Sequence, residues 1–206
     1  FIWHSGLLET VGNLVTDALD RILGGGRAGF DVMERIDRSI EGVCKEHLRS
    51  VWQKMKENAA AASVPIRGAD GLTWPPLSSQ DIQRMAELPG ASLTIARLKR
   101  YMAEPGGPVH VHVVGHSAGS IFLSGLVALL KANEIPVRTA VFMAGGLRAE
   151  EFERRVLPLV RDKSIDRMVN FTLSDQLEQD DTCPGNGRNL YHKSLLYRVS
   201  TGFEPG

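Results

Sequence analysis

The chain has little of what marks a specialised class of protein. Its 206 residues include two cysteines, Cys44 and Cys183, too few for a disulfide framework. The 24 Lys and Arg balance the 24 Asp and Glu, so the net formal charge is zero. Nothing electrostatic therefore favours a nucleic acid or an anionic membrane as a partner. The longest apolar stretch, residues 121–130, is too short and too interrupted to span a bilayer, so we expect no transmembrane segment.

A signal peptide is also missing from the beginning of the chain. The first residue is Phe1 rather than Met, and Phe1-Ile2-Trp3 reads as a strand that is already under way. No basic segment precedes an apolar one, as a secretory signal requires. We therefore expect a partial chain and a cytoplasmic location.

The hydrophobic pattern of the chain predicts one domain whose two parts differ in secondary structure. Residues 7–104 read as mostly helical, with helices predicted at 7–23, 30–62, 78–87 and 91–103. This part is expected to be a large helical insertion, which serves either as a lid over an apolar acyl pocket or as a platform for a partner. Glycine and proline predict a loop at 63–80 that carries Trp74. The indole of Trp74 either lines a substrate cleft or packs the loop onto the core.

The second part, residues 109–200, alternates between strand and helix patterns. Strands are predicted at 109–114, 138–144 and 168–173, and helices at 117–132, 149–160 and 189–200. Such alternation implies crossover connections and a parallel sheet. The sequence therefore predicts the α/β class.

Between the first of these strands and its helix lies Gly115-His116-Ser117-Ala118-Gly119. A catalytic serine is presented on a tight strand-to-helix turn that strains its backbone, so small residues are expected two positions before and after it. The sequence has Gly115 and Gly119 there. In this setting, Ser117 is the predicted nucleophile.

This segment resembles the nucleophile elbow of the α/β-hydrolase family of serine esterases and lipases, and the resemblance covers residues 109–200 best. It implies a parallel-sheet, three-layer fold with a large helical insertion before the elbow strand. It also implies a Ser-His-Asp triad in the chain order serine, acid, histidine. No metal or organic cofactor is needed.

Several carboxylates follow the last predicted strand and are candidates for the acid. Asp180 stands in a D-x-x-x-P segment of the kind found in hydrolase acid loops, Asp175 lies nearer the strand end, and Asp181 is a third possibility. The alternatives remain open, because any of them is also an ordinary solvated carboxylate.

The base is expected to be a histidine, whose pKa suits proton transfer in both directions near neutral pH. Of six histidines only His192 follows the acids. Asp180, Cys183, Gly185 and His192 are similar to the compact acid-to-histidine loop of cutinases. The alternatives are that His192 is a surface residue of the predicted helix at 189–200, or that the base lies beyond Gly206.

The oxyanion hole requires two backbone donors. The resemblance implies that the N–H of Ala118 is one, with His116 packing beside the nucleophile. The other is expected in the loop at Ser5 and Gly6, or else upstream of Phe1. His110 and His112 share one strand face but have no acidic or thiol neighbours in sequence, so no metal site is predicted.

These residues predict a serine hydrolase that cleaves carboxylic esters, with a small-molecule or lipid ester as its substrate. Thioesterase, peptidase and acyltransferase chemistry are alternatives on the same machinery. A hydrolase-like module that binds a partner without catalysis is another. The sequence does not define an oligomeric state.

Overall fold

The structure, a computed structural model, describes residues 37–39, 41–42, 45, 49–63, 66–68, 71–84, 87–104, 109–181, 183–185 and 188–200. The chain divides into two compact units. The central unit runs from Lys54 to Thr172. The split unit comprises the described residues up to Gln53 and those from Leu173 onward. The predicted strand at 1–3 and helix at 7–23 lie outside the described residues.

The central unit contains a parallel sheet of three strands and the helices that connect them. Their bounds are β3 Val111–His116, α4 Gly119–Ala132, β4 Val137–Met143, α5 Ala149–Arg155, α6 Leu157–Arg161 and β5 Ile165–Phe171. The strand order in the sheet is β3-β4-β5. Helix α4 connects the first two strands, and helices α5 and α6 connect the second and third. The predicted α/β class and parallel sheet are confirmed.

One face of this sheet is packed against the helices. Gly115 of β3 lies against Leu123 of α4. Phe142 of β4 meets Phe152 of α5 edge to face, with ring centroids 5.6 Å apart. Phe142 and Leu123 are both 2% exposed. Burying each such side chain contributes about 1.5–3 kcal/mol, which explains why the apolar strands and the apolar side of α4 pack together.

The opposite face of the sheet carries exposed side chains. His116, Met143 and Phe171 are register partners across the three strands, so their side chains lie on the same face. All three are exposed, as is Val114, which retains 64% of its accessible surface. An exposed apolar strip therefore runs along the carboxyl edge of the sheet.

Before the sheet, the central unit contains a small hairpin and further helices. Their bounds are α1 Arg49–Ala61, which includes the division between the units, β1 Ile66–Gly68, β2 Gly71–Thr73, α2 Ser79–Gln83 and α3 Gly90–Met102. The predicted loop at 63–80 is wrong at 66–68 and 71–73. There the two strands pair antiparallel, with Gly68 opposite Gly71.

Trp74 follows this hairpin and is buried in the core. Its Nε1–H donates to Ser63 Oγ over 2.6 Å. Its ring packs so closely on Gly125 of α4 that a Cβ there would lie 2.9 Å from it. The guanidinium of Arg155 sits 5.1 Å from the ring centroid. The packing interpretation of Trp74 is therefore confirmed, and the cleft-lining alternative is wrong.

The predicted helix at 149–160 is two helices, because α5 ends at Arg155 and α6 begins at Leu157. Pro158 occupies the first turn of α6, where its missing N–H costs no helical hydrogen bond. Helix α3 agrees with the predicted helix at 91–103 to within one residue at each end.

The split unit contains a helix, a hairpin and a second short helix after the sheet. Their bounds are α7 Asp175–Asp180, β6 Cys183–Gly185, β7 Arg188–Tyr191 and α8 Leu195–Arg198. The predicted helix at 189–200 is wrong at 189–191, because those residues pair with β6 as a strand. Helical backbone at 37–39, 41, 42 and 45 agrees with the predicted helix at 30–62.

None of the described helices combines the length and the apolar character needed to cross a bilayer.

Candidate active site

Ser117 occupies the turn between β3 and α4 with an unusual backbone. Its φ is 51°, in the left-handed region that residues with a Cβ seldom adopt. A non-glycine residue held there costs about 1–3 kcal/mol, and such strain is concentrated at functional sites. The strained conformation lies at Ser117, the residue that the sequence predicts as the nucleophile.

Gly115 makes this turn possible by its lack of a side chain. A Cβ at Gly115 would lie 2.9 Å from Leu123 Cδ2 and 3.0 Å from the carbonyl oxygen of Gly119. Helix α4 can therefore approach the end of β3 only if this position is glycine. Gly119 differs, because a Cβ there would meet no atom within 4 Å outside its own helix and chain neighbours. The two glycines of the motif thus have unequal structural roles.

Backbone hydrogen bonds hold Ser117 on both sides. Its N–H donates to the carbonyl oxygen of Met143 over 2.9 Å, continuing the contact between β3 and β4. Its own carbonyl oxygen accepts from the Gly146 N–H at 3.0 Å and from Ser120 Oγ at 2.7 Å. These contacts fix the strained backbone in place and offset its cost.

Free backbone donors lie directly after the serine. Among the described residues, the amides of Ala118 and Gly119 find no acceptor, as is usual at a helix start. Helix α4 is 14 residues long, and its N-terminus adds a partial positive charge. The turn can therefore stabilise an oxyanion formed next to Ser117.

The Ser117 side chain is half-buried, and its neighbour His116 is exposed. Ser117 Oγ makes no hydrogen bond to a residue in the described part of the chain. The turn between β3 and α4 thus holds three of the predicted site residues side by side: His116, Ser117 and Ala118. The other predicted oxyanion residues, Ser5 and Gly6, lie outside the described residues.

The candidate acids lie in and just after helix α7 rather than in an open loop. Asp175 begins the helix and Asp180 ends it, with Asp181 as its C-cap. Asp175 accepts hydrogen bonds from the Tyr197 hydroxyl and from Gln179 Nε2, the latter at 2.6 Å. The bond to Asp175 is the main reason why the pKa of Tyr197 is raised. Asp180 and Asp181 are exposed.

His192 follows β7, outside any helix, and contacts a carboxylate that the sequence did not nominate. Its ring Nδ1 lies 3.3 Å from Asp37 Oδ1, and its backbone N–H donates to the same oxygen over 3.2 Å. The Asp37 side chain is only 4% exposed, and that of His192 is 31% exposed. Within the described residues, neither Asp175 nor Asp180 is hydrogen-bonded to His192.

No signal in the sequence identifies Asp37 as a partner of His192. The two residues are 155 positions apart, and Asp37 stands within a stretch whose pattern predicts only a helix. The described residues also contain no cluster of three or more His, Cys, Asp or Glu side chains suited to a metal ion. His110 and His112 are both exposed.

No protein-family model matches the chain, and no curated protein or solved structure was found that matches it. The description of the turn therefore rests on the geometry of this chain alone.

Proposed function

We propose that this protein is a serine hydrolase of the α/β-hydrolase type, which cleaves carboxylic esters with Ser117 as its nucleophile. The observation that carries the proposal is the left-handed backbone of Ser117, φ 51°, at the tight turn from a parallel strand into a helix. A turn that served only to connect the two elements would favour glycine at that position. A strained serine held by neighbouring backbone groups is what a nucleophile requires.

The chemistry follows from the groups at the turn. Ser117 Oγ attacks the ester carbonyl carbon while its proton passes to a histidine, for which we propose His192. The oxyanion accepts hydrogen bonds from the free amides of Ala118 and Gly119. The histidine returns the proton to the departing alcohol, leaving an acyl-enzyme. Water then attacks this ester in the same way, which releases the acid and restores Ser117.

The side chains beside the turn support an apolar acyl group as the substrate. Met143 and Phe171 lie beside His116 at the carboxyl edge of the sheet and are exposed. Ligands of parallel α/β sheets bind at this edge. An acyl chain laid along Met143 and Phe171 would remove their apolar surface from water, so lipid or apolar small-molecule esters fit better than charged ones.

A fluorophosphonate probe tests the proposal directly. We expect one covalent adduct on the peptide that contains Ser117, located by mass spectrometry, and none in Ser117→Ala. Ser79→Ala, which removes an exposed serine from helix α2, is the matched control and should be labelled like the wild type. A folded wild-type protein that forms no adduct at Ser117 would refute the proposed function.

Hydrolysis of p-nitrophenyl esters of graded acyl length tests the substrate class. We expect kcat/KM to rise from acetate to longer chains. Replacing Phe171 by Ser should reduce the gain for long chains more than the activity towards acetate. A decrease in kcat/KM with acyl length would contradict an apolar acyl site.

A further inference from the structure

We infer that Asp37 is the carboxylate that positions His192, and that it holds the histidine in the tautomer protonated at Nδ1. Both contacts of the pair converge on one oxygen. Asp37 Oδ1 lies 3.3 Å from the ring Nδ1 and 3.2 Å from the backbone nitrogen of the same histidine. One buried oxygen thus fixes the ring relative to its own backbone. Both residues belong to the split unit.

The tautomer follows from the chemistry of the two groups. An ionised carboxylate only accepts hydrogen bonds, so the ring nitrogen that faces it must carry the proton. A neutral imidazole has one N–H, and with Nδ1 protonated, Nε2 keeps its lone pair. Nε2 is the atom that takes the proton of a nucleophilic serine in a Ser-His-Asp triad. Asp37 therefore presents His192 in the form that a general base needs.

Because the Asp37 carboxylate is buried, its hydrogen bond to His192 is stronger than the same contact would be at the surface. The Asp37 side chain is 4% exposed, while the His192 side chain retains 31% of its surface. Water competes weakly for the carboxylate, so the hydrogen bond is electrostatically stronger than in solvent. The exposed part of the histidine leaves room for a proton donor to reach the ring.

Asp37 precedes Ser117 in the chain, whereas the acid of a hydrolase triad is expected to follow the nucleophile. The acids favoured by sequence order are engaged elsewhere or exposed: Asp175 binds Tyr197 and Gln179. The inference rests on the proposed function only in treating His192 as the base. The assignment of the tautomer is independent of it.

Long-range ¹H–¹⁵N correlation spectra of the imidazole test the inference. His192→Gln identifies the His192 signals by their loss. At mildly alkaline pH, where an ordinary imidazole is neutral, we expect the wild type to show the pattern of the Nδ1–H tautomer. Asp175→Asn and Asp180→Asn should leave that pattern unchanged. A wild-type His192 that is protonated mainly at Nε2 would overturn the inference.

Two substitutions of Asp37 separate its roles. Asp37→Ala removes the acceptor, so the tautomer should shift towards Nε2–H. Asp37→Asn keeps an oxygen for both N–H groups, so the Nδ1–H form should largely persist. An unchanged spectrum in a folded Asp37→Ala would contradict the inference, and if that variant does not fold, the wild-type spectrum decides.

Kinetics distinguish positioning from a purely structural role. A positioned general acid–base group contributes about 10²–10⁴-fold to the rate. We expect Asp37→Asn to lower kcat for an ester by up to about this factor with KM little changed, because a neutral amide cannot stabilise the imidazolium. Unchanged kcat in Asp37→Asn would contradict the positioning role. Failure of fluorophosphonate to label Ser117, with the expected tautomer present, would refute the proposed function and leave the Asp37–His192 assignment intact.

Discussion

Gly115 and Leu123 are in such close contact that no side chain fits between them: a Cβ on Gly115 would lie 2.9 Å from Leu123 Cδ2. The carbonyl oxygen of Gly119, at 3.0 Å, blocks the same space. Since one of these obstacles is backbone, a rotamer change of Leu123 cannot relieve the clash. This contact limits how closely helix α4 can approach β3, the strand that directly precedes Ser117.

Alanine at each of the two motif glycines should therefore have different effects. Gly115→Ala should lower the free energy of unfolding by about 1–3 kcal/mol, the usual cost of overpacking. Gly119→Ala, the matched control, should change it by less than about 0.5 kcal/mol, because its Cβ enters open space. Urea denaturation measures both. Equal losses at the two positions would show that the close approach at Gly115 does not limit the packing of α4.

Relief of backbone strain at Ser117 should be measurable as stability. Ser117→Gly should be more stable than Ser117→Ala by about 1 kcal/mol, because glycine adopts a left-handed backbone without a Cβ clash. Ala128→Gly, in the middle of α4, provides a control of opposite sign and should lose about 1 kcal/mol. If glycine and alanine at 117 gave equal stability, the serine backbone would not be strained in solution.

Asp162 should make the free energy of unfolding depend on pH in the acid range. Hydrogen bonds from Ser164, then the ion pair with Lys131, lower the pKa of Asp162 to about 2. Because the folded pKa lies below the ordinary value near 4, the stabilisation is present above that value and is lost as pH falls through about 2. Both charged side chains are nearly half exposed, so screening limits the contribution to less than about 1 kcal/mol.

The measurement compares wild type with Asp162→Asn by urea denaturation across this range. The variant should be less stable near neutral pH, and the difference should disappear towards pH about 2. Lys131→Met isolates the ion pair and should reproduce only the smaller part of the loss. A difference that persisted unchanged into strong acid would contradict the assignment.

Tyr197 should titrate above an ordinary tyrosine. Its hydrogen bond to Asp175 is the main cause that raises its pKa. A raised folded pKa means that the contact stabilises the fold below the ordinary value near 10 and is lost as pH rises through the folded pKa. Ultraviolet difference absorbance of wild type against Tyr197→Phe isolates this phenol among the three tyrosines. Asp175→Asn should lower its titration midpoint, and an unchanged midpoint would count against the contact.

The sequence predicts best what depends on local pattern. Alternating apolar residues around Gly115 and Ser117 are sufficient to predict the strand, the turn and the helix, because hydrophobic period and turn chemistry are local properties. The pattern of residues 189–200 predicts a helix, but residues 189–191 belong to the hairpin strand β7, because pairing with β6 decides their structure. Asp37 could not be nominated at all, because its burial and its contact with His192 arise from residues distant in the chain.

The order of the two units along the chain has a consequence for synthesis. The central unit is one uninterrupted segment, Lys54 to Thr172, whereas the split unit draws on segments from either side of it. A ribosome therefore synthesises the whole central unit, including its three parallel strands, before it synthesises His192, the partner of Asp37. Domains generally fold as units during synthesis. The Ser117 turn can thus form before Asp37 contacts His192, and a nascent chain halted after Thr172 would carry the proposed nucleophile without the histidine proposed to activate it.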